Sequence, residues 1–595
     1  MTRRRRRTIA AAALGLALIA AACSDDDDGA DPTSPDDTAP STTAPDDTSP
    51  AADGTGTPTA EATTPVVGGR LVVAGEAEVG APWTPAAVQC DSYCQMRIRT
   101  FLEPLFVTGD DLEVHPFLGE SIEPNEDFTV WTIKVREGIS FTDGTPLDAD
   151  AVIDNLNRTA SGLLVSGAVK DLAKNPDDTL VTEKIDDYTF TLSTGHNGDP
   201  SNPISWPLFP NFLTTQFGFI ASAAWLAAVD GNPDLASQPV GTGPFVVLSY
   251  LPGDRMTVTR NPDYWRTDED GNQLPYLDEI EFRVIVDSQD RVQALEDGDV
   301  DMIATSDSNV VGQYVNSEDP VMLQQSSYVE TNYILYHLTQ PQFQDRQVRC
   351  ALFQAIDRQG LIDEVYGGFG NVASGPFSPG QDGYLEDAGL PDYDPDAAAT
   401  AIEAWEAANG PLQINYSTIA TGTSQAIADY VQRAWTEIGV DVTQTLVEQP
   451  ALITNALLGS PEFLAYGWRN HAGLFVDTQT HWWHGFAADG FGAAAADGSV
   501  ALNFGRLNDP VINDLLDQVR QETDPAAREA IAQDINRQFA TECWILPTSW
   551  TTWGIIMDPQ VRNVGRDTMP DGEGNLLDGA GFPGQVWLTS VFIAE

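Results

Sequence analysis

The chain has 595 residues, 88 acidic against 30 basic side chains, a formal net charge of -58 and 42% apolar residues. That balance excludes nucleic acid and anionic membrane surfaces as partners, because both are bound through clustered Lys and Arg. The length is too great for one core and implies two or three domains.

Five arginines, Arg3 to Arg7, precede a 14-residue apolar run from Ile9 to Ala22. A charged start, a short apolar run and small residues before a cleavage point read 1–22 as a secretory signal peptide. The run falls short of the about 20 apolar residues that a spanning helix needs. The arginines are an ordinary basic start, since the rest of a twin-arginine export motif is absent. Cys23 follows Ala21-Ala22 and resembles the lipid-bearing cysteine of bacterial lipoproteins. Ala20 stands where that motif prefers Leu, so plain cleavage after Ala22 is the alternative. Residues 24–65 contain seven prolines and no Lys, Arg or aromatic residue. Such a stretch buries too little apolar surface to offset ordering entropy and stays extended. The segment 23–66 is therefore expected to be a lipid-anchor cysteine followed by a disordered acidic linker.

Strand-like and helix-like segments alternate through the body. Arg70–Ala74 is a short apolar strand, and Phe128–Val135 alternates with period two. Lys134, Lys170, Lys174 and Lys184 are the only lysines; an Asp-rich, Lys-poor surface suits high external salt, where repulsion is screened. Arg291–Met302 reads as a helix stopped at Gly298 before a strand. Asp345–Tyr366 reads as one helix, with Val348, Leu352, Ile356, Leu361 and Val365 facing a core. Ser424–Ile438 places Ile427, Val431, Trp435 and Ile438 on one helical face, Gly439 stops it, and a strand begins at Val440. Asp509-Pro510 and Asp524-Pro525 each read as an N-cap followed by Pro in the first turn, starting helices over 510–523 and 525–540. Beyond Cys23, the four cysteines Cys90, Cys94, Cys350 and Cys543 are even in number in an exported body, which favours two disulfides. The expected pairs are Cys90 with Cys94 and Cys350 with Cys543.

Four separated stretches then fix the class. They are FLEPLF at 101–106 with GESIEPNEDFTVWTIKVREGISFTDGTPLDADAVIDNLNR at 119–158; GTGPF at 241–245 with GDRMTVTRNPDYW at 253–265; DRVQALEDGDVDM at 290–302; and DRQVRCALFQAIDRQGLIDEVYGG at 345–368. In that order they resemble the extracellular solute-binding proteins of ABC importers, the family of oligopeptide-, dipeptide- and nickel-binding proteins. The resemblance runs from about residue 100 to 370, and a weaker helix–strand unit at 424–448 extends it. It implies an α/β, periplasmic-binding-protein-like two-lobed clamshell with an additional inserted domain. Lobe 1 would combine 67–108, 235–330 and 556–595; the insert, 109–234, would pack on lobe 1; lobe 2 would be 331–555. Closure of the lobes on a solute would be the signal to the permease and ATPase, with no bond made or broken and no cofactor. A monomer is expected, lipid-anchored on the outer face of the bacterial cytoplasmic membrane.

In peptide-binding members a Gly-Trp-x-x-Asp segment lines the cleft, its Asp meeting the ligand's ammonium group. Here the stretch is Gly467-Trp468-Arg469-Asn470-His471, with His at the Asp position. Asp477 could substitute, or Arg469 could meet a negatively charged ligand. The neighbouring aromatics Tyr466, Trp468, Phe475 and Trp482 are candidate cleft walls, while Trp483 and Phe486 read as core. The aromatic run Trp206–Phe219 reads as packing of the insert on its neighbour. His481 and His484, one helical turn apart, and His471 are the candidate metal ligands. They leave two alternatives to a carrier of peptide-like or other small organic solutes. One is a metal or metal-chelate carrier of the same fold; the other is a secreted metal-dependent hydrolase, for which no motif supplies a general base.

Overall fold

The computed structural model describes residues 64–594 except 79–82, 163, 326–328, 461–462, 470–472, 486–501, 571–573 and 578–582. Cys23, the leader, nearly all of the linker, Asn470, His471 and Phe486 lie outside the described residues. The described part belongs to one unit of the chain, residues 53–595. Among the described residues no helix is long and apolar enough to cross a membrane.

Two mixed sheets organise this unit. The first has seven strands, in the order Phe245–Leu251, Arg255–Arg260, Glu279–Val284, Arg70–Gly75, Met302–Thr305, Trp553–Met557 and Val321–Gln325. Arg70–Gly75 lies parallel to both of its neighbours. Leu71, Val73 and Ala74 are fully buried there, as befits a central strand covered on both faces. The second sheet has six strands, in the order Asn371–Val372, Ile545–Trp550, Thr331–Tyr336, Ala465–Arg469, Gln413–Ile419 and Asp441–Val447.

The chain passes between the sheets twice, after Gln325 and after Trp550. The two crossings touch, because the Thr551 N–H donates to the Glu330 carbonyl at 2.9 Å. Strand Trp553–Met557 pairs in the first sheet with Met302–Thr305 and Val321–Gln325. The second passage from one sheet to the other thus falls at Thr551-Thr552.

A third, four-stranded antiparallel sheet is built from Gly119–Pro124, Val130–Val135, Thr189–Ser193 and Thr182–Lys184. With helix Ala149–Ala160 it encloses a separate core containing Trp131, Phe190, Trp206, Phe209 and Phe212. Leu105, Phe106, Met569 and Trp587 belong to the same core, which ties the inserted sheet to the first lobe. The insert also touches the second lobe, since Leu164 packs against the cluster around Trp483 and Phe539.

Helix punctuation follows the sequence closely. Asp509 accepts from the Val511 and Ile512 N–H groups, and Asp524 from Ala527, opening helices Pro510–Gln521 and Pro525–Glu542. The expected single helix over 345–366 is two, Arg346–Gln354 and Arg358–Val365, because Asp357 caps a fresh start by accepting from Gly360. Disulfides join Cys90 to Cys94 and Cys350 to Cys543.

Candidate functional site

The strand ends that face one another across the two sheets carry charge. Glu76 follows strand Arg70–Gly75, Ser306 and Asp307 follow Met302–Thr305, and Arg469 ends strand Ala465–Arg469 of the other sheet. Alternation along that strand sends Gly467 and Arg469 to one face and Tyr466 and Trp468 to the other. Arg469 reaches across to the first lobe. It donates to the Ser306 hydroxyl at 2.6 Å and to Glu76 Oε1 at 3.1 Å. Its Nε stands 3.1 Å from Glu330 Oε2, on the first crossing. Glu330 also accepts from Trp553 Nε1 at 3.0 Å, and the Arg469 guanidinium lies 4.9 Å over the Trp553 ring. One side chain therefore joins the two sheets and the first crossing.

Electrostatics hold this bridge in its charged form. Burial would raise the Glu76 carboxyl, but Arg469, Arg291 and the Ser306 hydroxyl outweigh it and keep it below its ordinary value. Burial would lower Arg469, but Glu330 and Glu76 more than compensate and raise it. Two weaker links run beside the bridge. Thr423 Oγ1 donates to Asp307 Oδ2 at 3.2 Å, and Asn309 Nδ2 donates to the Val365 carbonyl at 2.8 Å. Arg469 is consequently engaged by two carboxylates and does not stand ready for an anionic ligand, as the sequence alone allowed.

The aromatic candidates divide. Trp468 packs at 4.6 Å from Phe504, and Trp482 at 5.2 Å from the same ring, both partly exposed. Tyr466 is fully buried and donates to the Phe504 carbonyl at 2.6 Å, so it is a core residue supporting Trp468. Trp483 is buried against Tyr333 and Phe539. Phe475 lies under Arg528, whose guanidinium is 5.5 Å from its ring. Gly467 is required by close approach: a Cβ there would stand 2.6 Å from the Tyr416 hydroxyl.

Asp477 lies at a contact between the second lobe and the insert. Its side chain is 0% exposed, and it accepts from Arg520 Nε and from Trp206 Nε1, each at 2.7 Å. Arg520 Nη1 donates in turn to Asp171 Oδ2 at 2.7 Å, and its guanidinium stacks 4.3 Å from the Trp206 ring. Asp477 therefore fastens the second lobe to the insert and is closed off from a ligand amine by its burial. Trp206, read from sequence as packing, has that role at this contact.

Two of the three candidate histidines are described. His481 is buried and stacks on Trp482 at 4.5 Å; His484 is buried with Nε2 at 3.3 Å from Asp517 Oδ1. Burial is the main influence on His484 and lowers it, against the opposing pull of Asp517. Among the described residues no three His, Cys, Asp or Glu side chains converge as a metal site would require. Glu76, Ser306, Glu330 and Trp553 were not singled out from the sequence. Glu76 and Arg469 are 393 positions apart, and nothing local marks either as the other's partner.

Comparison with known proteins bears on the family and the fold. The family model for the middle region of bacterial extracellular solute-binding proteins, family 5, matches residues 113–491. The glutathione-binding protein GsiB of Pectobacterium atrosepticum is 27% identical over 368 residues, covering 60% of this chain and 66% of that one. The chain thus spans just under two thirds of the length of that relative. The nickel-binding periplasmic protein of Escherichia coli is 26% identical over 494 residues, covering 78% of this chain and 86% of that one. Among solved structures, the Helicobacter pylori periplasmic binding protein DppA, in complex with the peptide STSA, superposes with a TM-score of 0.73. It has 20% identity, with 89% of this chain and 99% of that one covered. The chain belongs to the bacterial extracellular solute-binding proteins of family 5.

Proposed function

We propose that this protein captures a small solute between its two lobes outside the cytoplasm and presents the closed complex to an ABC permease and its ATPase. The observation that carries this reading is the Arg469 bridge, which links Glu76 and Ser306 of one lobe to Glu330 at the crossing. Such a contact is made or lost as lobes rotate about a hinge. Lobe 1 would comprise 67–108, 235–330 and 553–595, the insert 109–234, and lobe 2 331–552. Trp468, Trp482 and the 467–471 segment would line the cleft, with Tyr466 and Asp477 supporting it from behind. Relatives named for binding rather than turnover support a carrier that breaks no bond.

The solute class is peptide-like or another small organic molecule, in keeping with the relatives named for glutathione and a bound peptide. A metal-chelate carrier of the same fold stays as a second reading on the longer match to the nickel-binding relative. Small-angle X-ray scattering on the purified chain tests the proposal. Addition of a peptide mixture, glutathione or nickel with histidine is expected to shrink the radius of gyration for one of the three. No contraction with any of them would count against solute capture. The proposed lipid at Cys23 is tested by fractionation: Cys23→Ser should leave the membrane fraction, and unchanged retention would mean another anchor.

A further inference from the structure

Around Arg99 and the chain segment 584–587 lies a set of polar groups without partners. Arg99 is the C-cap residue of helix Ser92–Ile98, and its guanidinium lies 4.7 Å over the ring of Trp587. Other arginines near the seam have carboxylates: Arg97 has Glu78, Arg291 has Glu76, and Arg469 has Glu76 and Glu330. Arg99 has none among the described residues, and its Nε has no acceptor. Burial alone pulls its pKa down, to about 10. Arg136 and Arg358 are partly buried and also lack a carboxylate, but they donate to the Phe117 and Ala373 carbonyls, whereas the Arg99 side chain has neither kind of acceptor among the described residues. The Trp587 face offsets some of its lost hydration.

The neighbouring chain supplies further unmet groups. Trp587 is buried, and its Nε1 has no acceptor. Two residues earlier Gln585 is 1% exposed, and neither its Oε1 nor its Nε2 has a partner. Buried amides are normally satisfied, so both ends left open point to something that occupies the place. The backbone here is firmly set. Gly584 N–H donates to Gln325 Oε1 at 2.7 Å, and Gln325 Nε2 donates to the Gln585 carbonyl at 3.1 Å. A Cβ at Gly584 would stand 2.4 Å from the Trp553 ring, whose face is also covered by Arg469. The backbone one residue before Gln585 thus packs on the indole that Arg469 also covers.

We infer that Arg99, Trp587 and Gln585 form a subsite for a carboxylate-type anionic end of the captured solute. The guanidinium supplies charge, the indole and amide N–H groups supply donors, and Gln585 Oε1 accepts from an adjacent N–H of the solute. This deepens the solute-capture reading and rests on it.

Isothermal titration of the full-length chain with tri-alanine, glutathione and the C-terminal amide of each tests the assignment. For at least one pair the free acid should bind at least tenfold more tightly than the amide. Arg99→Gln should weaken the acid at least tenfold and leave the amide unchanged; Arg99→Lys should recover part of the loss. Trp587→Phe, which keeps the ring and removes the N–H, guards against a folding defect and should show the same preference reduced. Equal binding of acid and amide, or an equal loss for both in Arg99→Gln, overturns the subsite. If no probe binds, native mass spectrometry of the same chain identifies any solute retained through purification. A retained acidic solute that Arg99→Gln loses supports the subsite. A retained solute without an acidic group, or one that Arg99→Gln keeps, overturns it while solute capture stands. No bound solute by either method removes both.

Discussion

Replacing Arg520 with Met would test how the insert is fastened to the second lobe. Arg520 is 2% exposed and holds Asp477, at 0%, and Asp171, at 1%. A methionine of similar length keeps the packing on Trp206 and leaves both carboxylates without their guanidinium. Removing one member of a buried ion pair costs roughly 3–5 kcal/mol. Asp477 would keep Trp206 Nε1, while Asp171 would keep Lys170 and the Asn197 N–H. The lower end, about 3 kcal/mol, is therefore expected. The Asp171 arm joins the insert to the second lobe, so if the insert travels with the first lobe it forms only on closure. Solute affinity should then fall at least about tenfold, equivalent to roughly 1.4 kcal/mol. A double-mutant cycle with Asp171→Asn isolates that arm; urea unfolding followed by tryptophan fluorescence reads stability and calorimetry reads affinity. A coupling of roughly 1–3 kcal/mol is expected. Additive effects, or unchanged affinity in Arg520→Met, would refute the reasoning. The pH dependence has a fixed sign. Burial would raise Asp171, but Arg520 and Lys170 hold it down at about 2, against an ordinary 3.8. Its contribution is full above the ordinary value and is lost as pH falls through about 2.

Further outcomes follow from other sites. Asp382 is pushed up by burial and by the hydrogen bond and charge of Glu529, so its stabilising contribution is complete at acid pH and declines as pH rises. Asp382→Asn should accordingly raise the urea midpoint more at pH 8 than at pH 5; equal shifts would remove the pair from the pH response. The Cys350–Cys543 disulfide closes a separation of 193 residues, and replacing both cysteines with Ala should cost up to about 5 kcal/mol by loop entropy. A loss below about 1 kcal/mol would show that this loop is already constrained when unfolded. Trp468→Ala should weaken solute binding about tenfold with little change in unfolding, because its ring is only partly buried. Intact affinity would take Trp468 out of the cleft.

Much of the fold was legible because its cues are local. The strand read over 70–74 is Arg70–Gly75, and the helix read over 424–438 is Gly422–Glu437. Both aspartate–proline starts cap helices as read. The error at 345–366 also has a local cause. The stripe steps by four from Val348 to Ile356, then by five to Leu361, and that extra step is where Asp357 caps a second helix. The order of four motifs carried the family assignment because turns and strand edges repeat across relatives even where pairwise identity is low. The site was less legible, since its contacts are distant. Asp477 looked like a cleft carboxylate, but its partners Arg520 and Trp206 lie 43 and 271 positions away. Tyr466 and Trp468 share a strand face, yet only packing by Phe504 decides that one is core and the other partly exposed.

Native mass spectrometry of the full-length chain, purified without refolding, tests solute capture most directly. The account expects a defined mass excess, one solute or a family of peptide masses, that Trp468→Ala diminishes. A bare chain mass under all growth conditions, or an excess indifferent to Trp468, would contradict it.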